Sequence, residues 1–361
     1  MQRNTFLEID LDKLDYNVNL FISHTNKKMI AVVKANAYGG VDYKIAKHLE
    51  SKGIDFFAVS SIEEAMKLRR HGVTSNILIM GYAHDLDIVR NNNLSVIIPN
   101  SDFVETNKEK LKDVKVHIKI NTGLNRLGIF PEEAQTILKD LLKYGAKVEG
   151  LMTHMAIGED REYTKHQYEV FRKVYDELNY PFKYVHSSAT DAAIYLNDEI
   201  STHTRIGLGL YGYANIETDF PLKPALTLKG EIIYCKQLKK GEGVSYGHKW
   251  HCDGTGYVLT VAIGYADGLE RNLTGKKVWV EDEEGEIVGT ICMDLLMVHT
   301  EHPHPIGSHV SIIDEHHTVK KRARELDSCC CKIICDIQDR VERVYIENGM
   351  VNDMISPRND F

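Results

Sequence analysis

The chain has 361 residues, of which 43% are hydrophobic and 27% are charged, and its formal net charge is −8. This length exceeds the roughly 250–300 residues at which one hydrophobic core stops growing, so we expect two domains. The negative charge argues against nucleic acid as a partner, and no apolar run approaches the roughly 20 residues that span a bilayer. We predict that the chain itself makes no membrane contact and acts in the cytoplasm, either alone or as the cytoplasmic domain of a membrane protein.

Short β-rich runs alternate with amphipathic segments from residue 7 to about residue 212, which is typical of βαβ units around a parallel sheet. The predicted strands are Leu7–Leu11, Met29–Val33, Phe56–Val59, Ile77–Met80, Ser95–Ile98, Val116–Ile120, Val148–Met152 and Tyr184–His186. Ser61 and Glu64 have the spacing of a helix-capping box, and Pro131 suits a first helical turn. Eight such units predict a (β/α)8 TIM barrel over residues 1–225, with its functional residues directly after the strands.

Beyond residue 225, strand-like runs are separated by glycine-containing turns, which predicts a mainly antiparallel β domain over residues 226–361. The runs are Leu228–Tyr234, Tyr257–Ala262, Lys277–Val280, Ile287–Thr290 and His309–Ile313. The basic stretch around Arg322 is interpreted as a solvated helix face. Seven cysteines, including the run 329–331, fit neither a zinc site nor a disulfide framework, so we expect reduced thiols and no metal.

Polar side chains follow several of the predicted barrel strands. Lys34 ends one apolar run and precedes a small-residue loop and Tyr38, where a lysine can bond covalently to a carbonyl group. Further polar candidates in this half of the chain are Lys119, Arg126, His154, His186, Thr190 and Arg205. Arg205 precedes Gly207 and Leu208 in a glycine-containing segment.

The second domain contains three further segments with possible site residues: Val-Ser-Tyr246-Gly, Gly-Tyr265-Ala-Asp and Cys-Met293-Asp294. In this order, the motifs of both domains resemble those of the alanine racemase family, which are pyridoxal-phosphate-dependent enzymes of fold type III. The match runs from the Lys34 motif to the C-terminal residues near position 345. The resemblance implies an amino-acid racemase whose cofactor is pyridoxal 5'-phosphate, acting on a small amino-acid substrate and supplying D-amino acids for peptidoglycan precursors.

The resemblance also assigns roles in the barrel. Lys34 would hold the cofactor and act as one catalytic base, with Tyr38 beside it. Arg126 would reach the cofactor's phenolic oxygen and the substrate, and Lys119 has the spacing of a lysine that the family often carbamylates; the alternative is an uncarbamylated lysine paired with a carboxylate. The family places His154 beside the cofactor ring.

The remaining barrel roles concern the two ends of the cofactor. Thr190, Gly207 and Leu208 would bind its phosphate, and His186 would orient Arg205. The family sets this arginine against the pyridine nitrogen. Because arginine cannot accept a proton, the nitrogen stays unprotonated and the cofactor is a poorer electron sink, which favours proton exchange over side reactions.

In the second domain the resemblance makes Tyr246 the second catalytic base, since a tyrosine serves as a base only when nearby positive charge favours the phenolate. Tyr265 would line the substrate's access route, the backbone of Met293 would contact the substrate carboxylate, and Asp294 would support the site. In the family Tyr246, Tyr265 and Met293 come from the partner subunit. The resemblance therefore implies a head-to-tail homodimer with composite active sites.

One position departs from the family pattern. Asp339 precedes Arg340, where well-known alanine racemases have a tyrosine that donates its hydroxyl to the phosphate. An ionised aspartate repels a phosphate, and its smaller side chain leaves space near the substrate side chain. Vancomycin-resistance serine racemases carry a small polar residue here, so we expect Asp339 to contribute to substrate binding and the protein to accept serine as well as, or better than, alanine. The alternatives are a decarboxylase of the same fold type and a non-catalytic pyridoxal-phosphate-binding protein.

Overall fold

The computed structural model of the protein describes residues 4–356. Within them the chain divides into two compact units. The barrel unit comprises residues 15–210 and 214–222, and the sheet unit comprises residues 4–14, 211–213 and 223–356. Strand β1 (Phe6–Asp10) and helix α1 (Leu11–Thr25) begin the described chain.

The barrel unit is built around an eight-stranded parallel sheet in the order β8-β7-β6-β5-β4-β3-β2-β9. Its strands are β2 (Lys28–Val32), β3 (Phe56–Val59), β4 (Asn76–Ile79), β5 (Ser95–Ile98), β6 (Lys115–Lys119), β7 (Lys147–Met152), β8 (Tyr184–His186) and β9 (His203–Ile206). Between β8 and β9 the backbone N–H of Thr202 donates to Val185 at 2.8 Å and that of Arg205 to Ser188 at 3.1 Å, which nearly closes the barrel. The predicted TIM barrel is confirmed.

The helices of this unit alternate with the strands. They are α3 (Asp42–Ser51), α4 (Ile62–Arg70), α5 (Leu86–Asn91), α6 (Ser101–Asn107), α7 (Ala134–Lys143), α8 (Arg161–Leu178) and α9 (Thr190–Tyr195). The label α2 is kept for the short turn Lys34–Tyr38, whose interior backbone angles are not helical. As its spacing predicts, Ser61 caps α4 by accepting the N–H of Glu64 at 3.3 Å. Pro131 opens a 3-10 turn that leads into α7.

The prediction that Leu7–Leu11 is the first barrel strand was wrong. Strand β1 belongs to the sheet unit, where it pairs antiparallel with one strand and parallel with another, and β9 completes the barrel instead. Side chains of β1 alternate between buried and half-buried, whereas β3 and β5 are buried throughout. An alternating strand suits a sheet with one wetter face, and barrel strands are covered on both faces.

The sheet unit is dominated by a nine-stranded sheet in the order β13-β16-β15-β14-β17-β10-β1-β18-β19, in which β10 also pairs with β13. Its strands after β1 are β10 (Leu226–Leu238), β13 (Gly256–Val261), β14 (Lys277–Val280), β15 (Glu283–Val288), β16 (Leu296–Thr300), β17 (His309–Ile313), β18 (Glu342–Glu347) and β19 (Met350–Ile355). Strands β11 (Gly243–Val244) and β12 (Trp250–His251) form a separate ribbon, and the helices are α10 (Val319–Glu325) and α11 (Cys330–Cys335). Apart from the β1 and β18 pair every neighbour is antiparallel, so the predicted β domain is confirmed.

Arg322 departs from the predicted solvated helix face. Its side chain is buried: Nε donates to the carbonyl of Ile312 at 2.9 Å, Nη2 donates to that of Lys277 at 2.6 Å, and Nη1 pairs with Glu325 at 2.7 Å. A charge pattern alone does not distinguish a solvated arginine from one that ties a helix to two strands.

Two further findings concern the whole described chain. The seven cysteines form no disulfide bond with one another within residues 4–356. Among residues 4–356 no helix combines the length and the apolar character that crossing a bilayer demands.

Candidate active site

Lys34 stands at the start of a strained backbone turn after β2. The next four residues, from Ala35 to Tyr38, have φ between +52° and +55°, in the left-handed region. For residues other than glycine this conformation costs about 1–2 kcal/mol each, and such strain is concentrated at functional sites. Glu64 of α4 holds the turn, because Oε1 accepts the N–H of Ala35 and Oε2 that of Ser60, both at 2.7 Å. Half-buried Lys34 is thereby fixed at the C-terminal end of the barrel strands.

Open N–H donors lie where β9 ends. A Cβ at Gly207 would come within 2.1 Å of the Tyr38 hydroxyl oxygen, so only glycine fits against this tyrosine. Thr190, which begins α9, accepts the N–H of Gly209 through Oγ1 at 3.1 Å. The N–H groups of Gly207 and Leu208 form no hydrogen bond within residues 4–356. These donors fit a phosphate.

Arg205 of β9 is only 2% exposed and has no carboxylate partner in the described part of the chain. Nη1 donates to the carbonyl and to Nδ1 of His186 at 2.7 and 2.8 Å. Nη2 donates to the carbonyls of Thr153 and Ser187 at 2.8 and 2.9 Å and approaches Nδ1 of His154 at 3.2 Å. Burial lowers the pKa of Arg205 to about 10, which leaves it a cation at neutral pH. Nε–H is the donor that remains for a ligand.

The two histidines beside Arg205 are neutral. Burial first, and then the charge of Arg205, lowers the pKa of both His154 and His186 well below the usual range. A neutral imidazole presents one nitrogen lone pair, which is what a guanidinium group needs as an acceptor. Both residues are therefore suited to holding Arg205 in place rather than to carrying a positive charge.

Lys119 lies on β6 with 4% of its surface exposed, and no carboxylate pairs with it within residues 4–356. The alternative of a lysine paired with a carboxylate therefore has no support. Burial, followed by the positive charges of Arg126, Arg205 and Lys34, lowers its pKa to about 8. Arg126 itself is exposed. Four predicted site residues thus concentrate positive charge at one end of the barrel.

A buried polar network that the sequence does not predict joins the loops after β6 and β7. Thr153 Oγ1 donates to a backbone carbonyl of the β6 end at 2.9 Å, so it accepts from Thr122 Oγ1 at 2.7 Å. Thr122 in turn accepts from Gln167 Nε2 at 3.1 Å. Gln167 comes from α8 and is fully buried. A glutamine in an amphipathic helix is usually a surface residue, so no local signal identifies it.

In the sheet unit, three of the predicted site residues are exposed: Tyr246 by 74%, Met293 by 53% and Tyr265 by 41%. Their loops are bonded to one another. The N–H of Tyr265 donates to the carbonyl of Cys292 at 3.0 Å, and Thr290 Oγ1 donates to the carbonyl of Tyr246 at 2.9 Å. The structure therefore brings these three segments together on one surface of the sheet unit.

The predicted site residues Asp294 and Asp339 interact with different arginines, Arg340 and Arg343. Nη2 of Arg340 donates to Asp294 at 2.7 Å, and its Nε lies 3.0 Å from buried Asp267. Asp339 is exposed, and its charge acts on buried Arg343, where it opposes the lowering of that arginine's pKa by burial. Arg340 thus fixes Asp294.

Comparison with known proteins identifies the family. Residues 9–215 match the model of the alanine racemase N-terminal domain, and residues 225–345 match that of the C-terminal domain. Alanine racemase of Lactococcus lactis subsp. lactis is 32% identical over 95% of this chain and 98% of its own, and that of Streptococcus mutans is 31% identical over 95% and 97%.

Solved structures agree. Alanine racemase from Bacillus anthracis with bound L-Ala-P superposes with a TM-score of 0.90 at 31% identity over the full length of both chains. Histidine racemase from Leuconostoc mesenteroides subsp. sake superposes with a TM-score of 0.88 at 25% identity, covering 96% of this chain and 99% of its own. The chain belongs to the alanine racemase family.

Proposed function

We propose that the protein is a pyridoxal-phosphate-dependent racemase that interconverts L- and D-alanine and also accepts serine. The observation that carries this proposal is Arg205, a buried cation whose donors face carbonyls and imidazole lone pairs instead of a carboxylate. A guanidinium only donates and cannot accept a hydrogen bond from a protonated ring nitrogen, so that nitrogen stays unprotonated, which limits electron withdrawal and favours proton exchange.

The residues of the barrel unit fit pyridoxal phosphate. The unbonded N–H groups of Gly207 and Leu208, with Thr190 and Tyr38 beside them, would bind its phosphate. Arg205 would donate from Nε to the ring nitrogen, and Lys34 would hold the cofactor covalently. When bound, the cofactor draws electrons from Cα and makes the α-proton acidic.

The chain's own groups then move the proton. Lys34 serves the D-enantiomer and Tyr246 the L-enantiomer, because racemisation removes a proton from one side of Cα and returns one to the other. Tyr246 would be supplied by the second copy in a homodimer, together with Tyr265 and the backbone of Met293. The high exposure of these three side chains supports a role facing another chain. Arg126 would bind the substrate and the cofactor's phenolic oxygen.

The proposed cellular role is the supply of D-amino acids for peptidoglycan precursors in the cytoplasm. Seven cysteines that form no disulfide bond with one another fit a reducing compartment. Family models for both domains of alanine racemases, matched over most of the chain, favour racemisation over the decarboxylase and the non-catalytic alternatives.

Removing the Tyr246 hydroxyl tests the assignment of the two bases. We expect Tyr246→Phe to slow exchange of the α-proton of L-alanine with ²H2O by about 10²–10⁴-fold, the usual contribution of a general base, and to leave exchange of D-alanine less affected. ¹H NMR of each enantiomer measures both rates. The control is Tyr234→Phe, another exposed tyrosine of the sheet unit. Equal loss of both exchanges would contradict the assignment.

Substitution of Asp339 tests the proposed acceptance of serine as a substrate. Asp339→Tyr should raise the ratio of alanine to serine kcat/KM by about tenfold or more, since a bulky side chain fills the space that the serine hydroxyl needs. Asp339→Ser keeps the site small and polar and should leave the ratio close to that of the parent protein. Racemisation of both amino acids, followed side by side by chiral chromatography, gives the ratios. An unchanged ratio in Asp339→Tyr rules out this role.

Lys119 is proposed to react with CO2 to form a carbamate, whose negative charge would lie among Lys34, Arg126 and Arg205. Only the neutral amine reacts, and with a pKa of about 8 half of Lys119 is neutral near pH 8. An ordinary lysine is then less than about 1% neutral. In ¹³CO2 at pH 8 we expect a carbamate ¹³C NMR signal that Lys119→Arg abolishes. A signal that survives this substitution, or no signal in either protein, would disprove the modification.

A further inference from the structure

His117 lies on β6, two residues before Lys119, and is fully buried. Space for its ring comes from Gly150 on β7, where a Cβ would lie 2.3 Å from Nδ1 of His117. The ladder between these strands shifts register between Val116 and His117. The ring also stacks on Tyr184, with centroids 5.4 Å apart and planes 12° apart. Both strands are thus adapted to this imidazole.

The contacts of His117 connect it to Arg205 through His186. Nδ1 of His117 lies 2.8 Å from Nε2 of His186, and Nδ1 of His186 lies 2.8 Å from Nη1 of Arg205. A guanidinium nitrogen only donates, so Nδ1 of His186 must carry the lone pair. Neutral His186 then has its hydrogen on Nε2 and donates it to Nδ1 of His117.

This direction assigns the hydrogen of His117 as well. Since its Nδ1 accepts, neutral His117 carries its hydrogen on Nε2, and Nε2 is buried with no partner in the described part of the chain. Burial lowers the pKa of His117 to about 3, and the charges of His203 and Arg205 act in the same direction, so the ring is neutral. The series of hydrogen bonds therefore runs from Arg205 to His186 and from His186 to His117, where the Nε2–H has no partner.

Leaving a buried donor unpaired costs about 1–3 kcal/mol. With histidine at position 117 the unpaired donor is its own Nε2–H, whereas an apolar residue there would instead leave the Nε2–H of His186 without its acceptor. The acceptor, Nδ1 of His117, is the feature that an apolar residue lacks.

We propose that His117 is a positioning residue for Arg205: it accepts the Nε2 hydrogen of His186 and thereby holds His186 in the tautomer whose Nδ1 accepts from the guanidinium. The other tautomer would turn an N–H toward Nη1 and push the guanidinium away from its carbonyl acceptors. The consequence for catalysis rests on the proposed function, in which Arg205 contacts the cofactor, whereas the tautomer itself is a property of the chain alone.

Two nearly isosteric substitutions separate the acceptor from the packing. His117→Leu and His117→Asn leave similar space, but only asparagine retains an acceptor near the position of Nδ1. We expect His117→Leu to reduce the Nε2–H tautomer of His186 in ¹⁵N-histidine NMR of the cofactor-free protein, and His117→Asn to preserve it. The matched control is His203→Leu, a buried histidine of β9 that bonds to Thr202 instead of His186.

The same variants give a functional measurement once the cofactor is bound. His117→Leu should lower kcat for alanine by about tenfold, as outer partners of site histidines do, with little change in KM, and His117→Asn should restore most of it. Equal behaviour of the leucine and asparagine variants, or an unchanged His186 tautomer in His117→Leu, would overturn the proposal.

The parent protein provides a test that does not depend on the folding of any variant. Its ¹⁵N spectra should show Nε2–H tautomers for both His117 and His186, and an Nδ1–H tautomer at either position would overturn the assignment. Absence of racemase activity would refute the proposed function without changing these spectra, so failure of one proposal is distinguishable from failure of the other.

Discussion

The buried guanidinium of Arg205 is the constraint on which the rest of the barrel site depends. A buried charge without an opposite charge is costly unless hydrogen bonds replace its water. Here carbonyls at the ends of β7 and β8 and two imidazole lone pairs perform that task. Those imidazoles must be neutral, and the lowered pKa values of His154 and His186 satisfy this requirement.

Because no carboxylate pairs with Arg205 in the described part of the chain, its positive charge adds to that of other basic residues at this end of the barrel. The positive charges of Lys34, Lys119, Arg126 and Arg205 lie close enough to influence one another. Within residues 4–356 no carboxylate pairs with Lys119 or Arg205. Such a site attracts anions, as a phosphate and an amino-acid carboxylate would require. Burial first, and then this excess of positive charge, lowers the pKa of Lys119, and a carbamate there would relieve part of the excess.

The sequence predicts most of the fold because buried parallel strands are short continuous apolar runs, such as Phe56–Val59. The sequence-based prediction is wrong about which strands begin and complete the barrel, and the reason is physical. β9 has the sequence His-Thr-Arg-Ile, which is polar because it carries Arg205, while β1 has apolar residues but alternates between two environments.

Most of the predicted site residues depend on resemblance to family motifs, and their roles stay predictions. Gln167 and His117 act through buried polar contacts between distant segments, which local patterns do not encode, although His117 shares a strand face with Lys119.

The central claim is that Arg205 faces the cofactor as a donor that leaves the ring nitrogen unprotonated. The most direct test is ¹⁵N NMR of the protein reconstituted with pyridoxal phosphate labelled at that nitrogen. We expect the chemical shift of a neutral, hydrogen-bonded pyridine across the neutral pH range, because the pKa of Arg205 is about 10. A pyridinium shift would contradict it.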